Sequence, residues 1–256
     1  MVDTEGRLKD VNSYLSEGIH SVKGWCIPQL WQTIWPLYQD IGDGPVAEIG
    51  VFEGKFFIGL CKTFGATADN RAAAIDVFDM QQFNLDGAGV GKLDVVKKNL
   101  VTHGIAQDAV EFVQADSLAL THRDADRLVS EIGQCHFFSV DGCHEVAHTV
   151  NDIEFAMSVT ANNGIIAVDD YTNPNWPGVQ EAVARMYLHR DFPFIPLVVT
   201  CNKLLLASYS YHARYLGVIE AYLRTAHPQT RIKKVKRFGY DTLTIQPDQQ
   251  HWQPLH

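Results

Sequence analysis

The sequence predicts an α/β fold: a doubly wound, mostly parallel sheet of seven strands, with an antiparallel hairpin at its C-terminal edge and helices at the N-terminus. Short apolar runs of strand length alternate with segments of helical length, a pattern typical of strand–helix–strand units. Several of these runs end abruptly in an acidic residue. Because ligands of parallel sheets bind at the carboxyl ends of the strands, the acids predict a site at that edge.

The composition indicates a globular protein with a large core. Hydrophobic residues make up 46% of the 256 residues, and the net charge of −9 disfavours a nucleic-acid partner, whose binding depends on phosphate neutralisation. No apolar run reaches the roughly 18 residues of a membrane span, and the first residues lack the apolar core of a signal peptide. Five cysteines without paired spacing are expected to be reduced thiols in a cytoplasmic protein.

Residues 1–40 are predicted to form an N-terminal helical cap. Its second segment, residues 28–38, carries a stripe of tryptophan, leucine and isoleucine. Such a stripe is more typical of a packed core face, while a lid over the sheet edge and a contact between subunits are the alternatives. A homo-oligomer is therefore one expectation.

The first strand, residues 46–51, runs into a glycine turn and a helix. Glu48, Gly50 and Gly54 form an acidic-x-Gly-x-x-x-Gly motif in which glycine lets the backbone approach a bound nucleoside. A carboxylate at Glu48 suits the ammonium group of an amino acid. The spacing differs from the Gly-x-Gly-x-x-Gly dinucleotide fingerprint, which disfavours NAD, and many strand–turn–helix junctions need glycine for structural reasons alone.

The next two strands also end in acids. The strand Ala72–Asp76 ends where α/β nucleotide folds place the acid that binds ribose, although helix capping is the structural alternative. The following loop, residues 78–91, is long and rich in glycine, as functional loops often are. A third strand, residues 109–115, is followed by Asp116 and Ser117.

The segment of residues 136–178 is predicted to be a strand–helix–strand unit with three acids at its strand ends. Asp141 follows the first strand, and Asp169 and Asp170 follow the second. No basic residue occurs between Phe137 and Arg185, so a divalent cation is expected to relieve the repulsion of the three carboxylates. Adjacent strand residues point to opposite faces, so Asp169 and Asp170 both ligate only if the chain bends there.

The rest of the chain is predicted to complete the sheet. The two-residue connection between the strands Phe194–Thr200 and Lys203–Ser208 requires an antiparallel hairpin. Residues 209–256 are expected to form a C-terminal extension packed on the same domain, in which the basic run Arg231–Arg237 is a solvated edge and residues 240–245 are a candidate additional strand.

These motifs, taken in order, resemble the class I S-adenosylmethionine-dependent methyltransferases over about residues 40–208. The segment VDGCH…D…NNGIIAVDDYTNPNWPGV more narrowly resembles small-molecule O-methyltransferases related to macrocin O-methyltransferase and to the cephamycin-pathway methyltransferase/hydroxylase-like proteins. The resemblance to catechol-type, metal-dependent enzymes is more distant. The resemblance to class I methyltransferases implies a Rossmann-like fold, with the S-adenosylmethionine-binding methyltransferase domain at residues 41–208.

The resemblance also implies roles for individual residues. S-adenosylmethionine is the implied cofactor, and Mg²⁺ or another divalent cation is implied at the three acids. The implied substrate is a small hydroxylated molecule, a sugar or a phenol. The implied cofactor residues are Glu48, Gly50 and Gly54 at the methionine part, Asp76 at the ribose, and Asp116 and Ser117 at the adenine; the implied metal ligands are Asp141, Asp169 and Asp170.

Two further sets of residues are candidates near the reacting groups. His144 is the candidate general base because its ordinary pKa lies near neutrality, and Asp141 is the alternative base in a metal-free variant. A histidine that merely caps the next helix is the structural alternative. Substrate contacts are predicted for residues just after the acidic pair: Tyr171, Asn173 and Trp176.

Two other functions fit parts of the pattern. A nicotinamide-dependent oxidoreductase on a similar sheet would need a glycine where Phe52 stands. A cofactor-binding protein without catalysis is the second alternative, but it has no reason to keep three mutually repulsive acids.

Overall fold

The computed structural model describes residues 4–189, 191–248 and 253–256. The strands are β1 (Val46–Ile49), β2 (Ala72–Asp76), β3 (Val110–Gln114), β4 (Cys135–Val140), β5 (Thr160–Val168), β6 (Phe194–Thr200), β7 (Lys203–Ser208), β8 (Arg231–Arg237) and β9 (Tyr240–Gln246). The helices are α1 (Thr4–Ser16), α2 (Trp31–Ile41), α3 (Lys55–Phe64), α4 (Leu93–Thr102), α5 (His122–Ile132), α6 (Val146–Val159), α7 (Pro177–His189) and α8 (Tyr209–Ala226).

The strands form one sheet in the order β3-β2-β1-β4-β5-β7-β6-β9-β8. The first five in this order are parallel, and β7 is antiparallel to β5 and β6. The predicted doubly wound, mostly parallel sheet is therefore confirmed. Its strand order reverses between β1 and β4, and a crevice opens at such a reversal. Register places Ile49 opposite Val140 and Val140 opposite Val168, so the residues after β1, β4 and β5 emerge side by side.

The predicted count of seven strands is wrong, because the described residues contain nine. The basic run is itself a strand, β8, which pairs antiparallel with β9, and β9 pairs parallel with β6. The β6–β7 hairpin consequently lies inside the sheet and not at its edge. Ile232 and Val235 are half-buried in β8, while the lysines are exposed. Charge along an edge strand prevents pairing with other chains, and it hid the strand pattern in the sequence.

Helices cover both faces of the sheet. Buried side chains of α1–α4 and α8 form one core with residues such as Val46 and Ile165, and those of α5–α7 form a second core with Ala47 and Ile166. Neighbouring strand residues thus serve opposite cores, as the pleat requires. None of the helices in the described ranges is long and apolar enough to cross a membrane.

The aromatic stripe of α2 is a core face. Trp31 and Trp35 are fully buried, and the Trp31 indole nitrogen donates a hydrogen bond to Thr63 Oγ1 over 2.8 Å. Helix α2 also packs against α8, and α1 packs against α3. Side chains from both ends of the chain therefore share the core that supports β1.

Candidate active site

A cavity of about 560 Å³ opens at the carboxyl ends of the parallel strands. Ligand pockets commonly have volumes of roughly 300–1,000 Å³. The cavity walls include most of the residues predicted from the sequence: Glu48, Gly50, Asp76, Asp116, Ser117, Asp141, His144, Asp169, Asp170, Asn173 and Trp176. Gly54 and Tyr171 are not among its lining residues.

Gly50 permits a close approach of two strand ends. Its φ is 84°, and a Cβ added there would lie 1.8 Å from the carbonyl oxygen of Asp141. No side chain fits in that space, so glycine is required where the chain leaves β1. Gly54, with a φ of 89°, instead occupies the position before the first residue of α3. The two glycines of the motif therefore shape the turn in different ways.

Glu48 is a buried carboxylate facing the cavity. It is 1% exposed, and within the described residues its Oε1 has no hydrogen-bond partner. Burial raises the pKa of Glu48 to about 8, although the nearby Lys203 ammonium opposes that shift. A buried acceptor without a partner is costly unless a ligand supplies a donor. The ammonium group of an amino acid would supply one here.

Asp76 is held rigidly at the cavity wall. Its Oδ2 accepts a hydrogen bond from the Phe52 backbone N–H over 2.9 Å, and its Oδ1 accepts one from Phe78 over 2.6 Å. Burial raises the pKa of Asp76, and these hydrogen bonds oppose the rise. Because each carboxylate oxygen has two lone pairs, both oxygens keep an acceptor position for ribose hydroxyls.

The turn after β3 contains Asp116 and Ser117. Asp116 accepts a hydrogen bond from the Leu118 backbone N–H over 3.1 Å, and its Oδ1 lies 3.7 Å from His148 Nε2. Asp152 on α6 lies beneath this turn and is fully buried. Burial raises the pKa of Asp152 to about 7, and a hydrogen bond with Ser117 partly offsets this rise. We did not predict Asp152 from the sequence; its i+4 spacing from His148 on α6 was the available indication.

The three acids after β4 and β5 converge, but a lysine accompanies them. Lys203, the first residue of β7, is 2% exposed; its Nζ forms an ion pair with Asp169 and lies 4.4 Å from the centre of the Phe56 ring. Burial lowers the pKa of Lys203, but the charges of Asp169 and Asp141 outweigh burial and raise it. The expectation of acids without a basic partner is therefore wrong. The β6–β7 hairpin places Lys203 beside these acids, although Lys203 lies outside residues 137–185, on which that expectation rested.

Asp169 and Asp170 face different partners. Asp170 has a φ of 55°, which supplies the bend required at the end of β5. Asp169 uses both oxygens, since Oδ1 accepts from the Asp170 backbone N–H over 2.8 Å and Oδ2 pairs with Lys203. Asp170 Oδ1 accepts from the side-chain amides of Asn173 over 2.8 Å and Asn202 over 2.6 Å. This leaves Asp170 Oδ2 directed at His144.

His144 is fixed by three neighbours. Its Nδ1 lies 2.5 Å from Asp86 Oδ2, and its Nε2 lies 2.8 Å from Asp170 Oδ2. Its ring stacks on Trp176 with 4.2 Å between centres and 14° between planes. Burial lowers the pKa of His144, but the hydrogen bonds with Asp170 and Asp86 outweigh burial and raise it to about 9. Asp86 belongs to the 78–91 loop; the loop's length predicted function, whereas its individual residues were not predicted.

Asp141, His144 and Asp170 form a group that could hold a metal ion. One ligand atom from each lies within 4.8 Å of the others. Two carboxylates and an imidazole suit a divalent cation. Asp169 is not a member of this group.

The predicted substrate residues separate in the structure. Asn173 and Trp176 line the cavity. Tyr171 is 2% exposed, and its hydroxyl accepts a hydrogen bond from Arg237 Nη1 over 2.7 Å. Its side chain therefore packs in the second core, against Arg237, and is not at the cavity.

One doubly wound sheet carries the acidic-x-Gly turn after β1, the acid at the end of β2 and the acids after β4 and β5, in the order that the resemblance to class I methyltransferases implies. A family model described as a methyltransferase domain matches residues 47–171. The match confirms the prediction of an S-adenosylmethionine-dependent methyltransferase domain. No curated protein sequence matches the chain.

Solved structures of methyltransferases share the fold. The O-methyltransferase NovP superposes with a TM-score of 0.59 at 13% sequence identity, over 80% of this chain and 99% of NovP. CalS11, a TDP-rhamnose 3'-O-methyltransferase of calicheamicin biosynthesis, gives 0.50 at 16% identity over 81% of this chain and 95% of CalS11. The methyltransferase MycE, in complex with Mg and SAH, gives 0.50 at 16% identity over 79% of this chain and 54% of MycE.

Proposed function

We propose that this enzyme transfers the methyl group of S-adenosylmethionine to an oxygen of a small hydroxylated molecule, a sugar or a phenol. The observation that carries the proposal is that one cavity brings two sets of residues together. Glu48 and Asp76, which suit an amino acid and a ribose, line the same cavity as Asp141, His144 and Asp170. A carboxylate and imidazole cluster beside a sulfonium suits an acceptor hydroxyl that must lose its proton.

The proposed cofactor contacts follow from the chemistry of each side chain. Glu48 would accept from the cofactor ammonium, Asp76 would accept from the ribose hydroxyls, and the turn of Asp116 and Ser117 would border the adenine. Gly50 has no side chain, so the ends of β1 and β4 can approach each other at the site. Holding the sulfonium and the acceptor in line is the main contribution required, because the leaving group is already good.

The proposed metal site consists of Asp141, His144 and Asp170. A divalent cation bound there would lower the pKa of an acceptor hydroxyl and fix its orientation. Asp169 is assigned a different role, since its carboxylate pairs with the buried ammonium of Lys203. Asp169 and Lys203 would hold the end of β5 in place beneath the metal ligands.

The acceptor pocket is proposed at the mouth of the cavity. Three aromatic side chains border it: Trp25, Phe83 and Trp176. Trp25 and Phe83 are substantially exposed, so flat faces are available to stack on a sugar or phenol ring. A cytoplasmic location completes the proposal, and the five free thiols support it. The expectation of a homo-oligomer loses its basis, because the aromatic stripe of α2 is buried within the chain.

An acceptor screen tests the proposal. S-adenosylmethionine with a labelled methyl group is incubated with the enzyme and panels of phenols, catechols and nucleotide-activated sugars. Label is expected in a hydroxyl-bearing acceptor, and it should be lost in Asp141→Asn. Transfer confined to nitrogen or carbon acceptors would reject the oxygen assignment and leave methyl transfer intact.

A further inference from the structure

We propose that His144 binds the metal through Nε2 and that Asp86 is the positioning residue that orients it. The inference rests on the proposed function because it assumes a divalent cation beside Asp141 and Asp170. It changes the role that the sequence suggested for His144, from a proton acceptor to a ligand. It also assigns a task to the 78–91 loop.

Asp86 determines which ring nitrogen is available. Its Oδ2 accepts hydrogen bonds from the His144 backbone N–H over 3.1 Å and from Nδ1 over 2.5 Å, and its Oδ1 accepts from the Ala88 backbone N–H over 2.9 Å. The Asp86 side chain is only 5% exposed. A carboxylate at Nδ1 keeps a hydrogen on Nδ1, so a neutral His144 ring has its lone pair on Nε2. Histidines that bind metals are commonly oriented by a carboxylate in this way.

Nε2 is directed into the carboxylate group. It is buried, and Asp170 Oδ2 lies 2.8 Å away, so a proton on Nε2 bridges the two groups when no metal is bound. Asn173 and Asn202 occupy the other oxygen of Asp170, so Oδ2 is the one turned toward the ring. A divalent cation bound between Nε2 and the carboxylate oxygen would take the place of that proton. Asp141 provides the third ligand atom within 4.8 Å.

The imidazole changes which metals fit. An all-oxygen set of three aspartates would suit Mg²⁺, but Lys203 withdraws Asp169 from that set. Two carboxylates and one imidazole favour Mn²⁺, Fe²⁺, Co²⁺ or Zn²⁺ over Mg²⁺. Trp176 stacked on His144 keeps the ring plane fixed while the metal binds.

Mn²⁺ binding tests the ligand assignment without an activity assay. Pulsed electron paramagnetic resonance on the full chain loaded with Mn²⁺ alone should show modulation from a directly bound ¹⁴N. Calorimetric titrations should give at least about tenfold tighter binding for Mn²⁺ than for Mg²⁺. S-adenosylmethionine is titrated in parallel.

Three variants separate the roles. His144→Gln should abolish the ¹⁴N modulation and weaken Mn²⁺ more than Mg²⁺. Asp86→Asn should keep the modulation and weaken Mn²⁺ by about 10–100-fold. His148→Gln, which alters a nearby histidine outside the group, should change neither. Circular dichroism and cofactor titration establish that each variant folds.

Two results would overturn the inference. One is unchanged Mn²⁺ affinity in a folded His144→Gln variant, and the other is a wild-type chain that binds no divalent cation. If S-adenosylmethionine still binds and its methyl group is still transferred, the proposed methyl transfer stands while the ligand role fails.

Discussion

Lys203 distinguishes Asp169 from the other carboxylates of the site, because it forms an ion pair with Asp169. It lies 34 residues after Asp169 in the chain but forms a buried ion pair with it. Asp86 reaches His144 across 58 residues in the same way. Both contacts join residues that are far apart in the sequence and that only the folded sheet and loop bring together. Neither contact can therefore be predicted from the spacing of neighbouring residues. The acids themselves were predictable, because each comes directly after an apolar run and parallel strands end at one edge.

Substitution of Lys203 should show how much the ion pair with Asp169 contributes to the free energy of unfolding. Lys203→Met leaves the Asp169 charge buried without a partner, which is expected to lower the free energy of unfolding by about 3–5 kcal/mol. The double variant Lys203→Met with Asp169→Asn should recover part of that loss. Urea unfolding of the wild type and of both variants measures the loss and the recovery. A loss below about 0.5 kcal/mol in Lys203→Met would contradict a tight buried pair.

Asp152 should make stability depend on pH. Its folded-state pKa of about 7 lies above its ordinary value of 3.8, so the folded protein binds this proton more tightly than the unfolded chain. Stability from this group is therefore present at low pH and is lost as pH rises from about 4 to about 7. Asp152→Asn should stabilise the protein at pH 8.5, by at most about 4 kcal/mol, and have little effect near pH 4.

Urea unfolding of wild type and Asp152→Asn at several pH values measures that difference. Comparison of the two proteins at each pH cancels the other titrating groups. A difference that stays constant between pH 4 and pH 8.5 would show that the Asp152 carboxyl does not titrate as described.

At the scale of elements, the glycine turn and the edge strand show where sequence patterns succeed and fail. The order of strands and helices through β7 follows from apolar periodicity and turn residues, and the structure has that order. Strand β8 was missed because five of its seven residues are lysine or arginine, which hides the alternation of Ile232 and Val235. The turn at Gly50 was predictable as a turn, but its contact with the Asp141 backbone was not.

Substitution of Gly50 tests that contact. Gly50→Ala should be far more destabilising than Gly104→Ala, because both residues have φ above 80° but only the Gly50 methyl would collide with backbone. The strained φ alone costs about 1–2 kcal/mol, and the collision adds about 1–3 kcal/mol. Thermal unfolding compares the two variants. Equal losses would show that the approach of β1 to β4 does not depend on glycine.

At the scale of the molecule, residues at the ends of β1–β3 and of the β4–β5 unit line one cavity. Both ends of the chain pack into the core beneath β1. The class of enzyme was therefore predictable from one stretch of about 170 residues, since the motifs follow strand ends in a fixed order. The acceptor was not, because its pocket is bordered by loops whose side chains follow no periodic pattern.

Metal removal should stop turnover reversibly. Excess chelator is expected to abolish methyl transfer, and added Mn²⁺ should restore it, because in the proposed site a cation held by Asp141, His144 and Asp170 binds the acceptor oxygen. Cofactor binding should survive chelation. Full turnover in excess chelator would reject the metal role.

Calorimetric titration with S-adenosylmethionine and, separately, with NAD tests the central claim that this cavity is built for the methyl donor. The account predicts one S-adenosylmethionine bound per chain and no heat from NAD. Asp76→Asn should weaken cofactor binding at least about tenfold, since a hydrogen bond to a charged group contributes about 1.5–3 kcal/mol. Binding of NAD by a chain that ignores S-adenosylmethionine would contradict the account.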